Sequence, residues 1–306
     1  MSYINVNIGK LELKNPILPA SGTFGSGKEF SNFFDLNSLG GIITKSITLL
    51  PREGNPQPRI FEIYGGLLNS IGLQNSGYER FIEEELPFIN ALNTVKVVSI
   101  SGEDVDQYSI LSSKLDQYPI DAIEVNLSCP NIKGKNKLFC YDSSLVEEII
   151  KKVKQNTKKT IIAKLSIEQN NIKEIAQIAE LNGADALCIG NTIKGLAIDI
   201  KRMKPVFKNI FAGQSGPSIK HIALRAVWEV YDSVKIPIIG CGGIVNYTDV
   251  LEFIMAGAIA VEVGSINFVE PDIMPEIIEN LNKYCEDNNR FIKDLIGIAH
   301  KNEGER

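Results

Sequence analysis

The chain predicts an α/β fold, a (β/α)8 barrel of the TIM type, and three observations point there. Short β-branched apolar runs recur along it, bounded by glycine, proline or polar turn residues. Most are followed by a stretch of helical periodicity. The runs are apolar throughout rather than alternating, as parallel strands buried on both faces are, and polar residues gather where they end.

The elements follow in order. Residues 4–7 and 10–13, joined through Gly9, read as a small β-hairpin outside the barrel. Candidate parallel strands come at 16–20, 41–45, 95–100, 122–126, 160–165, 184–190, 237–240 and 258–264. Helical patterns lie between them at 78–92, 144–155, 172–181, 219–233 and 247–256. Ser144 with Glu147 has the spacing of a capping box, and Asn246 with Asp249 is a weaker version of it. Gly183 and Gly257 stand where a helix ends on a left-handed residue. The segment 193–216 carries glycine, proline and an extra apolar run, Asn209-Ile-Phe-Ala, and reads as an insertion on the catalytic face. No repeat, low-complexity tract or linker interrupts the pattern. Length alone suggests about two domains, but barrels of this kind run as long, so 1–306 reads as one domain.

Composition narrows the function classes. The 306 residues are 44% hydrophobic and 23% charged, with a formal net charge of -5. A mildly acidic chain has no electrostatic case for binding nucleic acid. No apolar run approaches the roughly 18 residues that span a bilayer. The N-terminus has no basic segment followed by an apolar core, so no signal peptide is read there. The five cysteines, at 129, 140, 188, 241 and 285, include no Cys-x-x-Cys pair. That argues against a zinc site or a self-contained iron–sulfur cluster, and the odd count fits a reducing cytoplasm.

In such a barrel the chemistry sits at the C-terminal ends of the strands. Ser21 and Gly22 follow the first, Lys45 and Ser46 end the second, and Ser99 closes the third. Asn126 and Cys129 follow the fourth, Lys164 ends the fifth, and Asn191 and Thr192 follow the sixth. A thiol at Cys129, held in a loop by Pro130, can serve as base or nucleophile. The bland alternative is a small buried hydrophobe, the commoner fate of a cysteine. Lysines at the ends of apolar strands are costly unless an anion meets them. One could snorkel to solvent; two, at Lys45 and Lys164, point to ligands. Gly240-Cys-Gly242-Gly243-Ile244 runs from a strand into a Gly-rich turn and a helix, and Val263-Gly264-Ser265 repeats the device one strand later. Adjacent turns of this kind suit a phosphate. The Gly-x-Gly-x-x-Gly of a dinucleotide site is not among them.

These residues resemble the dihydroorotate dehydrogenases, class 1, and within them the NAD-linked subclass. The resemblance rests on Asn15-Pro-Ile-Leu-Pro-Ala-Ser21-Gly22, Thr44-Lys45-Ser46, Gly54-Asn-Pro-Gln-Pro-Arg59, Asn69-Ser-Ile-Gly-Leu73-Gln-Asn75, Asn126-Leu-Ser-Cys129-Pro-Asn131 and Gly240-Cys-Gly-Gly-Ile244. It implies an FMN-containing barrel that oxidises (S)-dihydroorotate to orotate in pyrimidine biosynthesis. Carried over residue by residue, it makes Cys129 the base at C5 of the substrate and sends the C6 hydride to FMN. It assigns substrate binding to Lys45, Asn69, Ser70, Ile71, Gly72, Leu73, Asn126, Asn191 and Thr192. Amides supply both the donors and the acceptors that a pyrimidine ring needs. Flavin contacts fall to Ser21, Lys45, Ser46, Ser99, Asn126 and Gly190, with Lys164 beside N1 and O2. Gly216, Gly242, Gly243, Gly264 and Ser265 hold the phosphate. No metal site is implied.

The resemblance also implies a second, electron-transfer subunit carrying FAD and a 2Fe–2S cluster, in a heterotetramer built on a homodimer of this chain. Two features depart from the pattern: Ser99 stands where asparagine is commoner, and 133–142 partly resembles the fumarate-linked subclass. A partner-free fumarate-linked enzyme, a dihydropyrimidine dehydrogenase and a non-redox phosphate-binding barrel are the competing readings.

Overall fold

A computed structural model describes residues 2–128, 142–169 and 171–301. Eight parallel strands form one sheet: β1 (Ile17–Pro19), β2 (Gly41–Ile43), β3 (Val95–Ile100), β4 (Ala122–Asn126), β5 (Thr160–Leu165), β6 (Ala186–Ile189), β7 (Ile238–Cys241) and β8 (Ala260–Val263). The spatial order is β1-β8-β7-β6-β5-β4-β3-β2. Gly40 N–H donates to the Ile17 carbonyl at 3.1 Å where β2 meets β1, which brings the edges together into a barrel. Both faces of the strands are covered, the outer by the helices and the inner by the barrel's own interior; β4, β6, β7 and β8 have no exposed residue.

The helical layer comprises α1 (77–90), α2 (Val105–Asp116), α3 (Ser143–Asn156), α4 (Ile172–Leu181), α5 (Lys220–Tyr231), α6 (Tyr247–Met255) and α7 (Ile273–Asp287). Within α1 the turn over Phe81–Glu85 widens to π geometry. Their ends follow local chemistry. Asn246 accepts from Thr248 and Asp249 N–H while Asp249 reaches back to the Asn246 N–H, completing a capping box on α6. Gly257 at φ +115° closes α6, with Ala258 N–H on the Phe253 carbonyl and Gly257 N–H on Ile254. Gly183 ends α4 in the same way. The start of α3 differs from the sequence expectation. Its cap is Asp142, which accepts from the N–H groups of Ser144 and Leu145, so Ser144 lies inside the helix and no Ser144–Glu147 box forms. An aspartate two residues upstream caps the earlier donors with a full charge and starts the helix before Ser144.

The expected N-terminal hairpin pairs Val6–Ile8 with Leu11–Leu13. The insertion 193–216 is built as strands. Ile193–Leu196 and Phe211–Ser215 join Ile60–Ile63 and Gly66–Asn69 in a four-stranded antiparallel sheet. That sheet sets Asn69 opposite Gly213 above the ends of the barrel strands.

Candidate functional site

The inside of the barrel is polar near its C-terminal end. Neighbouring residues in register face the same way, and the register sets Ser99 beside Glu124, Asn126 beside Lys164, Lys164 beside Cys188, and Cys241 beside Glu262. All of these side chains are buried. Lys164 is the centre. Its ammonium donates to Ser21 Oγ at 3.3 Å and to Glu124 Oε2 at 3.5 Å, and it pairs at short range with Glu262 Oε2. The Ser99 hydroxyl donates to Glu124 Oε1 at 2.8 Å and lies 2.8 Å from Ser46 Oγ. Asn126 Nδ2 donates to Ser46 at 3.1 Å. The Sγ atoms of Cys188 and Cys241 and one Glu262 oxygen lie within 4.8 Å of one another.

Burial alone would strip Lys164 of its proton, but Glu124 and Glu262 hold its pKa well above the ordinary lysine value. Burial also works against the Glu124 carboxylate; the Lys164 cation and the hydrogen bonds it accepts outweigh this and keep the acid low. Glu262 goes the other way, pushed well above the carboxylate range by burial and by the Glu124 charge.

Above this floor stands a second group. Asn69 Nδ2 donates to the Gly213 carbonyl at 3.1 Å, and a side chain at Gly213 would collide with Thr192 and press on Asn69. Asn69, Thr192 and Gly213 therefore share one spot. Asn191 Oδ1 accepts from Thr192 N–H at 2.8 Å. Lys45 is half-buried at the end of β2, and its ammonium makes no hydrogen bond or ion pair among the described residues. Burial lowers its pKa, with the Glu85 charge opposing and Arg59 reinforcing the shift. Such an ammonium is suited to meeting an anion.

The loop Ser70-Ile71-Gly72-Leu73 is fixed from outside. Asn55 N–H donates to the Ile71 carbonyl and Asn55 Nδ2 to Ser70 Oγ, while Asn75 Nδ2 holds the Leu73 carbonyl. Leu73 takes φ +55°, a conformation a leucine adopts only when its surroundings impose it.

The glycine turns lie where β7 and β8 end. Gly243, at φ +74°, packs so closely on the first residue of α5 that a side chain would strike the Lys220 backbone. The N–H groups of Gly242 and Gly243 make no hydrogen bond among the described residues. Ser265 opens the single turn Ser265–Phe268, so its N–H precedes the first internal bond of that turn. Gly264 lies near Ala20, next to Ser21. Open backbone donors at adjacent strand ends fit the phosphate of FMN. Gly216 abuts Gly66, and Gly190 abuts the Cys241 carbonyl.

Cys129, and with it Cys140 and residues 133–141, lies outside the described residues. The sequence reading assigned nothing to Glu124, Glu262, Cys188 or Cys241. A signal was present: Glu262 is a lone charge in the apolar run Ala260–Val263, as Lys164 is in its own strand.

A family model described as dihydroorotate dehydrogenase matches residues 3–285, nearly the whole chain. The chain belongs to the dihydroorotate dehydrogenase family. Among family members, a protein of Desulforamulus reducens is 50% identical over 297 residues, spanning 96% of this chain and 98% of its own. One of Petrotoga mobilis is 50% identical over 281 residues, with 92% and 94% covered. Both are named dihydroorotate dehydrogenase B (NAD(+)), catalytic subunit. Among solved structures, DHODH of Eimeria tenella in complex with ferulenol superposes with a TM-score of 0.82 at 23% identity, covering 98% of this chain and 89% of its own. That likeness speaks for the shared barrel fold.

Proposed function

We propose that this chain is the catalytic subunit of an NAD-linked dihydroorotate dehydrogenase: one FMN-binding barrel domain over 1–306 that oxidises (S)-dihydroorotate to orotate in UMP synthesis in the cytoplasm. The family match and the names of relatives near 50% identity support the reaction. The observation that carries the substrate side is Lys45. A half-buried ammonium that makes no hydrogen bond or ion pair among the described residues is the group that the carboxylate of such a ring requires.

FMN, when bound, supplies the two-electron acceptor. Gly242, Gly243, Gly264, Ser265 and Gly216 hold its phosphate, and Ser21, Ser46, Ser99, Asn126 and Gly190 line its site. Lys164 provides the cation for the charge gained on reduction. Lys45 binds the substrate carboxylate; Asn69 through Leu73, Asn126, Asn191 and Thr192 orient the ring. Cys129 takes the proton from C5.

The finer assembly is part of the same proposal. Electrons leave through a second subunit bearing FAD and a 2Fe–2S cluster, and two copies of this chain pair within a heterotetramer. Support for pairing comes from the four-stranded sheet and the small hairpin within the insertion, in which Ile198–Asp199 pairs with Lys204–Pro205; Phe61, Tyr64, Ile198, Ile200, Met203 and Phe211 are exposed there.

The test is anaerobic addition of dihydroorotate to the FMN-loaded chain. The yellow absorbance bleaches within the turnover time, and dihydrouracil leaves it unchanged. Bleaching by dihydrouracil alone would transfer the assignment to another dihydropyrimidine. A chain that takes up no FMN would be a binding barrel without redox chemistry.

A further inference from the structure

Three ionisable side chains meet in a closed space with one positive charge among them. Glu124 and Glu262 both contact the Lys164 ammonium, and both carboxyl side chains are fully buried. With all three charged, the cluster would hold a net negative charge shut away from water. A buried charge without a partner costs several kcal/mol, and a carboxyl group in that position takes up a proton instead. The hydrogen bonds choose which one. Glu124 has a donor for each oxygen, Ser99 at Oε1 and Lys164 at Oε2. Glu262 has Lys164 at Oε2, while its buried Oε1 has no partner among the described residues. An oxygen with no donor facing it is poorly placed to carry charge.

We propose that Glu262 is a positioning residue that carries a proton and, with Glu124, clamps Lys164 so that the cluster balances one cation against one anion. A protonated Glu262 holds the ammonium in place without cancelling its charge. The burial and charge effects that raise Glu262 and lower Glu124 act in the same sense. The other ionisable groups facing it are Cys188 on β6 and Cys241 on β7. Burial pushes the Cys188 thiol up, while a hydrogen bond with Cys188 holds Cys241 down to about 7. At pH 6 both are thiols. These thiols and Glu262 have the reach of metal ligands, but the adjacent ammonium repels a second cation.

The consequence for the flavin rests on the function proposed above; the proton on Glu262 does not. The first measurement is infrared difference spectroscopy of the full chain at pH 6, wild type against Glu262→Gln, with and without FMN. A protonated-carboxyl C=O band is expected in the wild type and absent from the variant. In Glu124→Gln the band is also lost, because Glu262 then ionises to become the sole counter-ion. Should that variant not fold, the Glu262→Gln comparison decides alone. No band in the wild type, or a band that survives Glu262→Gln, overturns the proposal.

The second measurement is the midpoint potential of bound FMN at pH 6. Glutamine reproduces the neutral acid, so Glu262→Gln shifts the reduction equilibrium by less than tenfold, about 30 mV for a two-electron couple. Glu262→Ala releases the clamp and shifts it by more than tenfold. A larger shift with glutamine would identify Glu262 as an anion and overturn the assignment, as would no shift with alanine. A chain that fails to bind FMN defeats the proposed function, while the infrared result still reports on Glu262.

Discussion

At the scale of single residues, two groups carry the predictions. Cys129 follows β4 by three positions, and the proposed reaction needs a base there. Serine in its place keeps a hydroxyl but raises the side-chain pKa far above that of a thiol. Cys129→Ser is expected to slow flavin reduction by dihydroorotate on the order of 10²–10⁴-fold, with FMN content unchanged. Stopped-flow reduction at neutral pH checks this, and parental rates would remove Cys129 from the role of base. Lys164 is different, because its removal is felt in folding first. Lys164→Ala leaves the Glu124 carboxylate buried without its cation, and losing one partner of a buried pair costs about 3–5 kcal/mol. Adding Glu124→Gln removes the orphaned charge and returns most of the loss. Chemical denaturation of the single and double variants measures both. Equal destabilisation by the two would mean that the lysine acts through packing alone.

At the scale of elements, barrel strands were legible because each is a short apolar run buried on both faces. The expected strands at 95–100, 122–126 and 160–165 match β3, β4 and β5 residue for residue. Gly183, Gly257 and the Asn246–Asp249 box were legible because they act through their own neighbours in sequence. The four-stranded sheet was less so. Asn69 pairs with Gly213, 144 positions away, and Ile60-Phe-Glu-Ile shows no clean alternation because much of it is exposed. The Glu262–Lys164–Glu124 cluster escaped for a related reason: each charge is unfavourable alone, and only closing the barrel supplies its partners. That sheet also yields a prediction. A Cβ at Gly66 would run into the Ser215 carbonyl, and Gly66 in turn holds Gly216. Gly66→Ala is expected to cost about 1–3 kcal/mol and to loosen FMN retention through Gly216. FMN content after gel filtration, with a melting curve, tests it; full retention would detach Gly216 from the phosphate.

At the scale of the whole molecule, the question is where the electrons go. The sequence has no dinucleotide fingerprint and no Cys-x-x-Cys pair from which to build an iron–sulfur relay. Among the described residues no helix is long and apolar enough to cross a membrane. In the function proposed above, the two electrons taken from the substrate reach NAD through a protein partner. Relatives at 45–50% identity are named as catalytic subunits of NAD-linked enzymes, which supports that route. The isolated, FMN-loaded chain is expected to reduce dyes or oxygen with dihydroorotate and to leave NAD untouched. Adding the electron-transfer subunit restores NAD reduction while the rate of flavin reduction by substrate changes little, because Lys45, Lys164 and the amides belong to this chain. The fumarate-linked alternative predicts the reverse: rapid orotate formation by the isolated chain with fumarate and no gain from a partner. Steady-state assays with NAD, fumarate and a dye, each with and without the second subunit, separate the two, and the fumarate outcome would end the NAD-linked assignment.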